Sequence, residues 1–198
     1  MLRLILMGML AFALPTAYAL PAAATTVDEF HATLLGNMER GAALGCSGRT
    51  QKMTAAINQD FDLPFIARQV MKRNWAALSA AQQEQFTSTL RQLVILTYAS
   101  NFSSHHGETF STQDTRDLPN NARLVHSRLN RSADDPVSFD YVLHESAGQW
   151  KIINIIADGV SDLAIRSAQY NSLYQKENFS GLIGFLQKQT AKIQAGCQ

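Results

Sequence analysis

The apolar residues in the first half of the chain recur at the spacing of amphipathic helices. Apolar side chains at positions 27, 30, 34 and 38 share one helical face and predict a first helix over residues 27–44. The pattern predicts a second helix over residues 49–59. Asp62 is placed to cap a third helix, with Pro64 in the first turn, where proline is tolerated.

A longer helix is predicted after the connection that contains Trp75. Ser79 and Gln82 have the spacing of a capping box, which marks the start of a helix. The apolar stripe that follows ends near Ser103 and consists of Phe86, Leu90, Leu93, Val94, Tyr98 and Phe102.

The second half of the chain changes to the period of β-strands. Apolar and polar residues alternate over 137–144, and Ala147-Gly148 connects this strand to another over 150–157, which predicts an antiparallel hairpin. Residues 124–129 predict a strand paired before them, and residues 109–118 predict an edge strand.

The pattern becomes helical again after Gly159. Ser161 is expected to cap a helix that has Asp162 in its first turn, and residues 182–193 belong to a last helix. The order of elements predicts an α+β domain, in which helices pack on one antiparallel β-sheet meander.

Isoleucines lie on both faces of the strand over 150–157, which reads WKIINIIA. Such a strand must be covered on both sides, either by protein or by an apolar molecule that the protein carries. Asn154 interrupts one face, and we interpret it as a hydrogen-bonded polar residue of the core, with a ligand contact as the alternative.

The first 19 residues have the pattern of a secretory signal peptide. Arg3 precedes an apolar run over 4–14, and Ala17-Tyr18-Ala19 gives the small-x-small cleavage pattern, so we expect cleavage near Ala19. The alternative, a membrane anchor, is disfavoured because the run is too short to cross a bilayer. Residues 20–198 then form a single exported domain.

The chain that remains after the predicted cleavage is neutral overall, which argues against binding to nucleic acid or another polyanion. Removal of Arg3 lowers Lys+Arg from 17 to 16, which equals the 16 Asp+Glu, so nucleic acid is not an expected partner. Arg68, Lys72 and Arg73 form a local exception beside Trp75. We consider these three cations a candidate docking edge; the alternative is a solvated helix face.

Two cysteines, Cys46 and Cys197, predict a disulfide in an oxidising compartment, with two unpaired thiols as the alternative. Their spacing does not fit a metal site, and no cofactor is predicted. Asp140, His144 and Glu145 lie close together on one strand, so a small α+β pocket enzyme of the isomerase or hydratase type, with Asp140 or His144 as the base, is the alternative function. We predict no catalytic residue, because no nucleophile, metal or nucleotide motif occurs.

Several segments together resemble one family: FDLPFIARQVMKRNW, LSAAQQEQF, TYASNF and WKIINIIADGVSDLAIRSAQYNSLYQ. They are similar to the toluene-tolerance/MlaC family of periplasmic lipid carriers over residues 27–193. The TYASNF and ADGVSDLAIR segments look closest to the hopanoid-associated HpnM branch. Two positions depart from the family pattern, namely Asn154, where Asp is expected, and Met71-Lys72, where an apolar residue and Gly are common.

The resemblance implies a non-enzymatic carrier that holds a membrane lipid between helices and sheet, and moves it between the inner and outer membranes. The expected cargo is a hopanoid, with a phospholipid as the alternative. It also implies docking to an inner-membrane lipid transporter and to an outer-membrane complex. We expect Tyr98 and Tyr141 near the mouth, where a hydroxyl finds polar neighbours. The full set of expected pocket residues is Phe65, Trp75, Phe86, Val94, Tyr98, Phe102, Phe139, Tyr141, Leu143, Ile152 and Ile156.

Overall fold

The computed structural model describes residues 22–132 and 134–197. The signal peptide predicted over residues 1–19 and its cleavage near Ala19 lie outside the described residues. No helix in the described part of the chain is long and apolar enough to cross a membrane.

Within the described residues, helices come first, a sheet follows, and a long helix ends the chain. The helices are α1 (Ala23–Glu39), α2 (Gly41–Asp60), α3 (Leu63–Met71), α4 (Ala80–Asn101) and α5 (Asp162–Gly196), with a 3-10 helix over Lys72–Ala77. The strands are β1 (Thr109–Leu118), β2 (Ala122–Asn130), β3 (Val137–Ser146), β4 (Gln149–Ala157) and β5 (Val160–Ser161).

The strands pair antiparallel in chain order, which confirms the predicted α+β class and the meander. Tight two-residue turns connect β3 to β4 and β4 to β5, so consecutive strands lie side by side. Both central residues of each turn have positive φ: Ala147 (50°) and Gly148 (75°) in the first, Asp158 (47°) and Gly159 (79°) in the second. That backbone geometry matches the twist of antiparallel strands. The apolar run of β4 therefore stops at Asp158-Gly159 because the chain reverses there into β5.

Three predicted helix starts are confirmed by their capping hydrogen bonds. The backbone N–H of Phe65 donates to Asp62, and the N–H of Ala164 donates to Ser161. Ser79 and Gln82 form the reciprocal bonds of a capping box. These caps satisfy backbone donors that have no partner inside the helix.

The single helix predicted over residues 27–44 is wrong, because the chain breaks into α1 and α2 near Arg40. A Cβ atom at Gly41 would lie 1.8 Å from the carbonyl oxygen of Ser103, so only glycine fits this close approach. A second break occurs within α2 at Gly45, where φ is 57°. Asn178, with φ 60°, breaks α5 in the same way and separates the two helical segments predicted there.

The predicted disulfide is present and joins Cys46, in the first turns of α2, to Cys197, just after α5. The bridge closes a loop across 151 positions of sequence. Arg49 lies buried beside it and donates to the carbonyl oxygens of Ala99 at 2.9 Å and Gly41 at 2.7 Å. The bridge thus ties the C-terminal end of α5 to the first turns of α2, and Arg49 ties those turns to the end of α4.

We predict that Cys46→Ser together with Cys197→Ser lowers the free energy of unfolding by about 2–4 kcal/mol, because the unfolded chain gains freedom when a long loop is opened. Urea unfolding of the variant and of the oxidised protein measures this difference. Reduced wild-type protein serves as the control and should match the variant. Labelling of both thiols in native protein prepared without reductant would contradict the prediction.

Candidate functional site

A cavity of about 420 Å³ lies between the helices and the C-terminal half of the sheet. The start of α3, the second half of α4, strands β3 to β5 and the first turns of α5 surround it. The principal apolar side chains of the wall are Phe61, Leu63, Ile66, Leu90, Val94, Tyr98, Phe102, Phe139, Ile153, Ile155, Val160, Leu163 and Ile165. This size and lining are typical of sites for apolar ligands.

The structure places four of the eleven expected pocket residues on the cavity wall: Val94, Tyr98, Phe102 and Phe139. The other seven lie elsewhere: Phe65, Trp75, Phe86, Tyr141, Leu143, Ile152 and Ile156. Phe86, Leu143 and Ile152 are fully buried and belong to the packed core instead of the cavity wall.

Tyr141 is not at the mouth, contrary to the sequence-based expectation. It is 2% exposed, and its hydroxyl lies 2.9 Å from Nε2 of His31 on α1. Burial lowers the pKa of His31 to about 4, although nearby Asp28 acts in the opposite direction, so the imidazole is neutral near pH 7. Tyr141 finds its polar partner inside the protein instead of at the cavity entrance.

Phe65 and Trp75 are half-buried and pack against residues other than those of the cavity wall. The Phe65 ring is 4.6 Å from the ring of His144, and the Arg68 guanidinium lies 5.6 Å from the Phe65 centroid. The Trp75 ring packs edge-on against Phe86 at 6.5 Å.

A β-bulge in β4 explains why Ile155 reaches the cavity and Ile156 does not. Leu143 pairs with Ile152 but Val142 pairs with Asn154, so Ile153 is an extra residue without a partner. The extra residue shifts the alternation by one position. Ile155 therefore pairs with Tyr141 on the face toward the helices.

Asn154 fixes the corner between β4 and α5. Its Oδ1 accepts hydrogen bonds from the Ser161 hydroxyl at 3.2 Å and from the backbone N–H of Leu163 at 3.3 Å. The interpretation of Asn154 as a hydrogen-bonded polar residue is confirmed, and the side chain also borders the cavity. A neutral amide meets this demand, so the corner does not require the Asp that the family pattern has at this position.

Tyr98 and Arg166 are the ionisable residues on the wall with shifted pKa values. Burial raises the pKa of Tyr98 well above its usual range, so its hydroxyl stays protonated. Burial alone would lower the pKa of Arg166, but Asp162 and Tyr170 outweigh this effect and raise it. Arg166 Nε donates to Asp162 at 2.6 Å, and Nη1 donates to the Tyr170 hydroxyl at 3.1 Å.

The entrance of the cavity carries an apolar lip, formed by Val160 on β5 and Ile165 on α5. Their exposed fractions are 54% and 53%, and both residues border the cavity. Sequence reasoning missed this lip, as well as Arg166. The available signal was the ADGVSDLAIR segment, which contains all three residues.

The candidate acid–base residues lie away from the cavity wall. Asp140 accepts a hydrogen bond at 2.6 Å from His126, and His144 is bonded to Asp62 at 2.9 Å. Glu145 pairs across the hairpin with Trp150 and does not line the cavity. The described residues contain no group of three or more His, Cys, Asp or Glu positioned to hold a metal.

The candidate docking cations are exposed on α3 and the 3-10 helix, and none of them borders the cavity. Lys72 has φ 50° and ψ −128°, a conformation that strongly favours glycine. This geometry accounts for the expected glycine at the position where the chain has lysine.

Comparisons with known proteins agree with this architecture. The sequence model of the family described as MlaC protein matches residues 28–188. A solved structure of a phospholipid-binding protein from Ralstonia solanacearum, in complex with a phospholipid, superposes with a TM-score of 0.71 at 25% sequence identity. The match covers 86% of this chain and 95% of that chain. No curated protein sequence matches the chain significantly.

The family match spans most of the chain, including every element that surrounds the cavity. It confirms the family resemblance of the sequence segments but does not distinguish the hopanoid-associated branch. The chain belongs to the MlaC family.

Proposed function

We propose that this protein is a non-enzymatic carrier that binds the apolar chains of a membrane lipid in the cavity. The observation that carries this proposal is the apolar space between α4 and the sheet, which opens beside the exposed lip of Val160 and Ile165. The structural similarity to a phospholipid-binding protein supports the same function.

The energetics of lipid transfer explain why such a cavity is useful. A two-chain lipid has roughly thirty methylenes worth about 0.8 kcal/mol each, so its passage through water costs on the order of 20 kcal/mol. Each methylene that enters the apolar cavity avoids its share of that cost, and no chemical step is needed. For this function the protein needs only an apolar wall that excludes water, an entrance for the lipid and a surface that its partners can bind.

The proposal places residues 20–198 in the periplasm as a single lipid-carrier domain, exported by the signal peptide over residues 1–19. The carrier would move lipid between the inner and outer membranes. Its partners would be an inner-membrane lipid transporter and an outer-membrane complex. Membership of the MlaC family supports this placement.

Phospholipid is the cargo that the comparisons favour, and hopanoid is the second candidate. The resemblance of TYASNF and ADGVSDLAIR to the hopanoid-associated branch supports hopanoid. The wall also supports it, because Phe139, Ile153 and Ile155 are aromatic or β-branched and suit a flat, rigid ring system. No observation favours an isomerase or hydratase, because Asp140 and His144 are paired away from the cavity.

Ile155→Trp should lower the amount of bound lipid at least about tenfold, because the indole would exclude two or more methylenes from the cavity. Ile156→Trp is the matched control: it adds the same bulk to the next residue, which does not border the cavity. Native mass spectrometry of both variants, each purified from periplasm, measures bound lipid. Equal lipid content in the two variants would contradict the cavity as the lipid site.

Delipidated protein offered equal amounts of phospholipid and hopanoid should retain mainly phospholipid. Extraction and mass spectrometry of the bound fraction measure the ratio. Exclusive recovery of hopanoid would reverse the cargo assignment and leave the carrier function in place. Recovery of a chemically altered lipid would instead support the enzyme alternative.

The triple variant Arg68→Glu, Lys72→Glu, Arg73→Glu reverses the charge of the candidate docking edge. It should bind inner-membrane vesicles more weakly, while its lipid content stays unchanged. The cause would be repulsion in place of attraction at an exposed contact. Co-sedimentation with vesicles from the producing organism measures binding. The matched control reverses the charge of three other exposed cations, Lys176, Lys188 and Lys192 of α5, by substitution with Glu. If the first variant binds vesicles as the wild type does, Arg68, Lys72 and Arg73 form a solvated surface and not a docking edge.

A further inference from the structure

Arg166 lies where the apolar cavity meets a second, more polar recess. This recess has a volume of about 260 Å³ and shares Arg166 and Thr97 with the wall of the cavity. Gln169, Gln189 and Tyr170 supply its polar side chains. A molecule with apolar chains in the cavity and a polar group in the recess would pass directly by the guanidinium.

The guanidinium keeps hydrogen-bonding capacity for a ligand. Arginine has five N–H donors, and the bonds to Asp162 and Tyr170 use two of them, which leaves three. Within residues 22–132 and 134–197, Nη2 makes no hydrogen bond. Two terminal N–H groups on one planar fork match the oxygen atoms of a phosphate group.

The ion pair of Arg166 with Asp162 is unequally exposed to water. The Asp162 side chain is 57% exposed, whereas that of Arg166 is 17% exposed. Water therefore solvates the carboxylate well, but the cation has lost most of its hydration and regains only part of it from Asp162 and Tyr170. An anion at the boundary between the cavity and the recess would accept hydrogen bonds from the N–H groups of Arg166 that have no acceptor in the described structure.

We propose that Arg166 binds the phosphate of the cargo lipid, with the acyl chains in the cavity and the polar headgroup in the recess beside Gln169 and Gln189. This inference rests on the proposed carrier function and specifies its ligand as a lipid whose headgroup contains a phosphate. It also gives Asp162 a role as the carboxylate that competes with phosphate for the guanidinium.

The experiment compares phosphatidic acid with diacylglycerol of the same acyl chains, which differ only by the phosphate. Delipidated protein is incubated with vesicles that contain both lipids, and native mass spectrometry measures the retained amount of each. Arg166→Gln should lower phosphatidic acid retention about tenfold and leave diacylglycerol unchanged, as expected for one charge-assisted contact. Asp162→Asn should raise phosphatidic acid retention, because the competing carboxylate is gone.

Two further variants keep the result interpretable. Arg128→Gln removes an exposed arginine of β2 outside the cavity and should change neither lipid. Arg166→Lys keeps the charge but not the planar fork, so it should give an intermediate loss. If Arg166→Gln does not fold, the Arg166→Lys and Asp162→Asn variants decide the question.

Equal losses of both lipids in the Arg166 variants would overturn the phosphate site and leave the carrier function intact. If wild-type protein retained neither lipid, the carrier function itself would fail. Calorimetric titration with inorganic phosphate alone distinguishes a lipid phosphate from the free ion. We expect no binding of the free ion, and saturable binding that Arg166→Gln abolishes would assign the site to free phosphate.

Discussion

The cavity depends on one aromatic cluster that joins the helices to the sheet. The fully buried ring of Phe30 on α1 lies edge-on to Phe61 at 5.1 Å, to Tyr98 at 5.3 Å and to Tyr141 at 6.4 Å. These rings come from α1, the α2–α3 junction, α4 and β3. Edge-to-face packing of rigid rings fixes the separation of the layers. Because Phe61 and Tyr98 also border the cavity, the cluster joins the cavity wall to the buried core at Phe30.

The order and type of the elements could be predicted because their signals are local. Asp62, Ser79 and Ser161 cap helices through bonds to residues three positions away, and the alternation of β3 is visible in the sequence. The cavity wall was harder to predict. The bulge at Ile153 has no sequence signal, and a shift of one residue moves every later side chain of a strand to the other face.

The remaining features depend on contacts between residues far apart in the sequence. The break between α1 and α2 follows from the approach of Gly41 to Ser103, and Arg49 is buried because the end of α4 supplies the carbonyl oxygen of Ala99. The burial of Tyr141 also depends on a distant residue, because its hydroxyl finds its hydrogen-bond partner in His31, 110 positions earlier in the sequence. A periodic pattern shows which side chains are buried but not whether they face a packed core or an open cavity.

A carrier must hold its cargo firmly and still release it, and the structure separates these two demands. In the proposed carrier, Leu90, Val94 and Ile155 would contact the lipid chains, and each buried methylene would contribute about 0.8 kcal/mol. At the entrance, Val160 and Ile165 remain exposed to water, so a second apolar surface placed against them would gain by covering them. The corner that holds this lip is fixed by Asn154. In the proposed carrier, retention would therefore depend on the apolar wall of the cavity, whereas exchange would depend on what covers the lip.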